Sequence, residues 1–317
     1  MSDSINRRSF LKKSALAGGA TLVGSQVIPE VMGDKSGYVL AAEKSLVSVV
    51  KGTDYLKATI KAVEQLGGMS KFVTKGSRVA VLANAQRNNP GAFTSPQVIR
   101  AVTRMCKEAG AKEIHFLSWL PADAWTSTGQ AAAITEEGAE LKIADRKDES
   151  SFSPKPVPDG IALKEARIMN GFYDYDVFIT VPITKDHAGN KFTGTLKNMM
   201  GLNSPKNNRT FHRENWATDP DSIAHMEQCI ADLNTVIKPA LCIVDATVFI
   251  TTNGPFGPGE LIKPEKVVAG TDRVAIDSYC ASLWGLSGPS IKSIKMAADH
   301  GLGQLDSKLV TVKETNL

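Results

Sequence analysis

Between Val181 and Arg213 the chain carries Lys185, Asp186, His187, Lys191, Lys197, Asn198, Lys206, Arg209, His212 and Arg213, many donors with little acid to balance them. Lysine and arginine at such density suit an anion, phosphate or carboxylate, which cations near a helix terminus hold without special geometry. The two imidazoles add acid–base or metal-ligating capacity. A solvated basic loop is the bland alternative. A site is favoured because the stretch follows an apolar run, Val177-Phe178-Ile179-Thr180-Val181, that reads as a buried strand ended by Pro182.

Three loops can meet at the ends of such strands. The segment Thr193–Met200 reads as a short helix with Gly201 as its stop, so the loop before it aims backbone N–H groups and cations at one point. The polar loop Asn84–Ser95 follows the strand Arg78–Ala83 and offers amides and Arg87. The third, Ala246–Gly259, follows Asp245 at the end of a strand, and its Gly254 and Gly257 let backbone approach a ligand. The expected ligand-binding set is therefore Lys185, His187, Lys197, Asn198, Arg209, His212, Asp245, Gly254 and Gly257, around one solvated pocket. His187, His212 and Asp245 are the metal candidates, with a spacing that matches no strong metal motif. Asp272 reads as a helix cap; Asp277 lies on the same helix with its face unassigned. No G-x-G-x-x-G, Walker loop, G-x-S-x-G or H-E-x-x-H is present.

The elements that position these residues alternate strand and helix. Ser95-Pro96 opens a helix that runs to Gly110, and Glu113–Trp119 is the next strand, which makes a right-handed parallel unit with its loop at the carboxyl end of the sheet. A weaker helix over Trp125–Glu137, a strand near Glu140–Ala144 and an edge strand over Ile161–Met169 follow. The strong helix after Asp219 ends at Pro239, Ala240–Ala246 is a buried strand, and shorter elements complete the chain. The fold class is α/β: a mostly parallel sheet with flanking helices. It forms two lobes or one large unit, with a lobe boundary near 145–160 in a charged, Ser- and Pro-rich connector.

The 317-residue chain is expected to begin with an export signal. Arg7-Arg8-Ser9-Phe10-Leu11-Lys12-Lys13 has the twin-arginine pattern, and Val39-Leu40-Ala41 suits a signal peptidase, so residues 1–41 are read as a leader and 42–317 as the working domain. Without the leader's five bases and three acids, the net charge of +4 falls to about +2, which does not suggest nucleic-acid binding. No stretch of the mature chain is long and apolar enough to span a bilayer. The expected location is the periplasm or another extracytoplasmic space, and the expected partners are the twin-arginine translocation machinery and a small anionic ligand. Cys106, Cys229, Cys242 and Cys280 lack C-x-x-C spacing, so no local iron–sulfur or zinc run exists, and the first three read as packing residues.

Several blocks together resemble the domain-of-unknown-function family 362: V-P-I-T-K-D-H (181–187), T-G-T-L-K-N-M-M-G (193–201), the N-R-T-F-H run (208–212), G-P-F-G-P-G after Asp245, and A-G-T-D-R-V-A-I-D (269–277). T-S-P-Q-V-I-R-A-V and E-A-G-A-K-E-I fit the family's N-terminal half. Longer members carry a ferredoxin-like cysteine cluster, which this chain lacks, so the iron–sulfur label is not carried over. The resemblance implies a site more than a reaction. It also implies an architecture similar to the N-terminal part of lactate racemase, whose relatives hold a nickel-bearing, nucleotide-derived cofactor. The expected function is that of an exported enzyme or redox accessory that binds an anionic cofactor or substrate, metal-free or metal-bearing, in a basic pocket. The alternatives are a non-catalytic binding protein for an anionic small molecule and an assembly partner.

Overall fold

Aliphatic and β-branched residues at nearly every position suit strands covered on both faces, and the three runs of that kind form the middle of the sheet. The computed structural model describes residues 44–317; the expected twin-arginine leader over residues 1–41 lies outside them. In chain order the elements are β1 (Ser45–Lys51), α1 (Tyr55–Glu64), β2 (Arg78–Ala83), α2 (Pro96–Glu108), β3 (Glu113–Ser118), α3 (Ala122–Thr126), α4 (Gln130–Glu136), β4 (Glu140–Ile143), β5 (Phe152–Pro156), β6 (Glu165–Met169) and β7 (Val177–Val181). They continue with α5 (Thr195–Asn198), α6 (Pro205–Phe211), α7 (Pro220–Val236), β8 (Leu241–Ala246), β9 (Phe249–Ile250), β10 (Leu261–Ile262), β11 (Lys266–Gly270), α8 (Arg273–Ser282), α9 (Lys292–Asp299) and β12 (Val310–Asn316).

The main sheet has the order β12-β1-β11-β8-β7-β2-β3-β4. β11 runs antiparallel to β1 and β8, and the other neighbours are parallel. Alternate side chains feed two cores. Val79, Val81, Ile179 and Ile243 point to one face with α1 and α2, and Leu82, Phe178, Cys242 and Val244 point to the other with α7 to α9. The described residues form one compact unit. Among them, no helix is long and apolar enough to cross a membrane.

The caps follow the expected chemistry. Ser95, Asp219 and Asp272 each accept a backbone N–H from the first turn of their helices. All four cysteines are buried and free.

Four elements differ from expectation. The helix expected over Trp125–Glu137 is two short helices, broken at Gly129 with φ +75, a left-handed value that only glycine adopts at no cost. The edge strand expected over Ile161–Met169 shrinks to β6, which leaves the main sheet and pairs with β5. β5 lies inside the expected connector; its Pro154 and Pro156 hide a strand that lies outside the main ladder. β1, where no element was expected, fills the gap between β11 and β12.

Candidate functional site

Parallel order brings the carboxyl ends of β2, β7 and β8 side by side, so the loops that leave them are neighbours. They are laced together by hydrogen bonds. The Asp186 N–H donates to the Ile250 carbonyl and the Gly254 N–H to Asp186 Oδ2, at 2.9 and 2.8 Å. Thr94 Oγ1 donates to the Val181 carbonyl at 2.8 Å, and Ile250 N–H donates to the Gly91 carbonyl at 3.2 Å. Gly254 sits so close to the Asp186 carbonyl that any Cβ would collide with it, which accounts for glycine there. Gly257 has φ +68 and lies against Asn89, in the same loop as Pro255, which reaches the pocket.

Between these loops lies a pocket of about 190 Å³. Lys197 and Asn198 of α5, His187 and Thr193 of the loop after β7, and His212 at the end of α6 form one side. Asn84, Gln86, Trp119 and Met200 contribute to the rest. Lys197 lines the pocket, and its ammonium lies 3.9 Å from Met200 Sδ and 3.8 Å from Met226 Sδ. Burial pushes this amine down to about 7, and Glu227 works weakly in the opposite direction. Among the described residues, no carboxylate lies within salt-bridge distance of it.

The two imidazoles stand 6.3 Å apart, centre to centre, with Trp216 against both at 5.2 and 5.0 Å. His187 Nδ1 accepts from the Gly189 N–H, so in the neutral ring Nε2 carries the proton. His212 Nδ1 faces the Asn208 carbonyl at 3.0 Å and must donate, which leaves Nε2 a bare acceptor. Burial, reinforced by Lys197, lowers the basicity of both, so both are neutral at pH 7. Thr193 Oγ1 is buried on the pocket wall and has no hydrogen-bond partner.

The remaining expected residues are placed differently. Lys185 is fully buried behind the pocket, its Nζ donating to the Ala92 carbonyl at 2.7 Å and Asn84 Oδ1 at 3.2 Å. The expectation of a solvated cation does not hold for it. Burial, with Lys197 nearby, lowers it to about 7. Asn198 lines the pocket but spends its amide on the Leu82 carbonyl and Thr180 Oγ1, which ties α5 to the sheet. Asp245 is consumed by Ser95 N–H, Thr247 N–H and Thr247 Oγ1, so it holds loops in place. Among the described residues, no group of three or more His, Cys, Asp or Glu is placed to hold a metal, so His187, His212 and Asp245 do not assemble as one. Arg209 faces an exposed cleft with Arg146, Lys147 and Lys206, outside the Lys197 pocket.

The backbone N–H groups that open α5 are also not free for a ligand. Asp277 Oδ1 accepts from Thr195 N–H at 2.7 Å and Thr195 Oγ1 at 2.6 Å, and its Oδ2 accepts from Leu196 N–H at 3.0 Å. The protein supplies its own anion there. The available signal was a carboxylate on an apolar helix five residues beyond its cap, a placement that demands a buried partner.

The family model described as a domain of unknown function, DUF362, matches residues 79–282, a span that includes the strands and loops just described. The chain belongs to the DUF362 family. This DUF362 protein is 28% identical over 268 residues to a thylakoid-associated protein of Synechocystis sp., a match that covers 81% of this chain and 79% of that one. Among solved structures it is similar to the lactate racemase apoprotein from Thermoanaerobacterium thermosaccharolyticum, with a TM-score of 0.48 and 13% identity. That match covers 71% of this chain, which spans about half (54%) of the racemase.

Proposed function

We propose that this DUF362 protein is exported by the twin-arginine route and binds a small phosphate- or carboxylate-bearing cofactor or substrate in the Lys197 pocket. The observation that carries the reading is the Lys197 amine, enclosed between two thioethers beside two neutral imidazoles, with no carboxylate partner. An enclosed cation without a counter-ion is costly, and an anion offsets that cost. The unpartnered Thr193 hydroxyl and the His187 Nε2–H supply neutral donors to the same ligand, and His212 Nε2 supplies an acceptor. The donor set also fits a metal that arrives inside an organic cofactor with its own ligands, since the bare His212 Nε2 suits a borderline metal but one imidazole does not make a complete protein cage. His212 would hold such a group, which would supply Lewis-acid or redox chemistry.

Lys197→Ala is expected to cost about 1–3 kcal/mol of binding to a charged ligand. The check is a thermal-shift screen of phosphates, nucleotides and small carboxylates on both proteins; equal responses would place Lys197 outside the site. Affinity should also fall as pH rises above about 7, where the free amine loses its proton. A wall that also includes Leu120, Met200 and Pro255 suits a non-catalytic binding protein as well, and turnover of the ligand found separates the two. Metal analysis and an absorption spectrum of protein purified without refolding decide the metal-bearing form.

Export is tested separately. Arg7→Lys with Arg8→Lys is expected to leave folded protein in the cytosol, and normal export of this variant rejects the leader assignment.

A further inference from the structure

Two clefts continue the Lys197 pocket outward. The first, of about 470 Å³, shares Gln86, Trp119 and Leu120 with the pocket. The second, of about 730 Å³, shares Pro121 and Arg146 with the first. The three therefore abut in series from the enclosed amine to the open surface.

Cations line the way. Arg87 and Arg146 belong to the first cleft, and Arg146, Lys147, Lys206 and Arg209 to the second, against only Asp123 and Glu149. Among the described residues, none of these five cations lies within salt-bridge distance of a carboxylate. Glu149 accepts from Ser204 Oγ at 3.3 Å. Two of the guanidinium groups are also held in place. Arg87 lies 4.7 Å from the Phe256 ring centre and Arg146 lies 5.4 Å from that of Trp119, whose Nε1 is itself directed at the Met200 carbonyl. A guanidinium stacked on an aromatic face keeps its N–H fork free for phosphate or carboxylate.

We infer that the ligand is an elongated polyanionic small molecule, with one anionic group in the Lys197 pocket and a second, phosphate-like group clasped by Arg146 and Arg209 at the outer end. The inference rests on the reading of the Lys197 pocket as an anion site. A concave channel that leads into an enclosed pocket suits a small molecule, whereas a membrane or an acidic protein would meet a convex patch. The arginines select for length: a short anion reaches only one end, and a long one reaches both, as linked sites do.

The experiment titrates the full chain with orthophosphate, tripolyphosphate and a longer linear polyphosphate. Wild type, Lys197→Ala and the double variant Arg146→Ala, Arg209→Ala are compared. Both arginines are exposed, so the double variant keeps its fold. Wild-type affinity is expected to rise about tenfold or more from orthophosphate to the longest chain, as added charge-assisted contacts accumulate. The double variant should lose that gain and keep its orthophosphate response, while Lys197→Ala should lose the orthophosphate response. An absent length dependence, or one that survives in the double variant, overturns the inference and leaves the inner site standing. A length dependence that survives Lys197→Ala unchanged means the outer cations act alone, which overturns the two-ended ligand. Binding of anionic vesicles or an acidic peptide through Arg146 and Arg209, with none of the polyphosphates, overturns it in favour of a macromolecular partner.

Discussion

Asp277→Ala is expected to cost about 3–5 kcal/mol of folding stability and to abolish binding in the Lys197 pocket. The carboxylate accepts from three buried donors, Thr195 N–H, Thr195 Oγ1 and Leu196 N–H, and alanine would leave the two N–H groups without a partner and Thr195 Oγ1 with only the Arg273 carbonyl at 3.2 Å. Each buried donor so abandoned costs roughly 1–3 kcal/mol, and water that enters the new space recovers part of it. Burial pushes the carboxyl up to about 6, which still leaves it ionised at pH 7. Gly194 is part of the same contact, since a Cβ there would lie 2.4 Å from Asp277 Oδ1. α5 has only four residues and cannot hold its own shape, so Asp277 sets the direction from which Lys197 enters the pocket. Asp277→Asn keeps one acceptor and turns a new N–H₂ toward the remaining donors, so it should cost less than alanine but still impair binding. Urea unfolding provides the check. A loss below about 1 kcal/mol for Asp277→Ala would mean that α5 is anchored elsewhere.

Much of the scaffold is legible in the residues. Val177–Val181 and Arg78–Ala83 are apolar at almost every position, and both strands end where that pattern ends. Parallel topology then makes their following loops neighbours, which is enough to bring His187, Lys197, His212 and the Asn84 loop together. What the pattern leaves open is what each polar side chain holds. Asp245 and Asp277 both answer backbone N–H groups, and a carboxylate that serves its own chain looks the same in sequence as one awaiting a ligand. Arg209 and His212 are three residues apart and would share a helix face. His212 nevertheless lines the Lys197 pocket and Arg209 the outer cleft, a separation that the spacing alone does not reveal. Lys185 escapes for another reason. Lysine is rarely buried completely, and only the contacts with Asn84 and Ala92 reveal why it is here.

Lys185→Ala is expected to destabilise the fold by about 3–5 kcal/mol, because it abandons two acceptors and empties the volume of a four-carbon stem. Lys185→Met refills that volume and should recover part of the loss, although Ala92 O and Asn84 Oδ1 remain without their donor. The pH dependence separates a titrating amine from mere packing. The folded pKa is about 7 against an ordinary 10.5, so between those values the unfolded chain binds the extra proton. Stability therefore rises with pH across that window, by up to about 1.4 kcal/mol per pH unit for each such lysine, and the contribution is flat below about 7. Lys197, shifted to a similar value, adds a slope of the same sign. Lys185→Met should therefore roughly halve the slope shared by the two lysines, and adding Lys197→Met should remove the rest. Denaturation midpoints between pH 7 and pH 10 measure it. Parallel wild-type and Lys185→Met curves would mean that Lys185 keeps its proton on folding, held by its two acceptors. A neutral Lys185 has a consequence for the site: it leaves Lys197 as the amine that an incoming anion recharges, with Asn84 held by Lys185 to form the opposite wall.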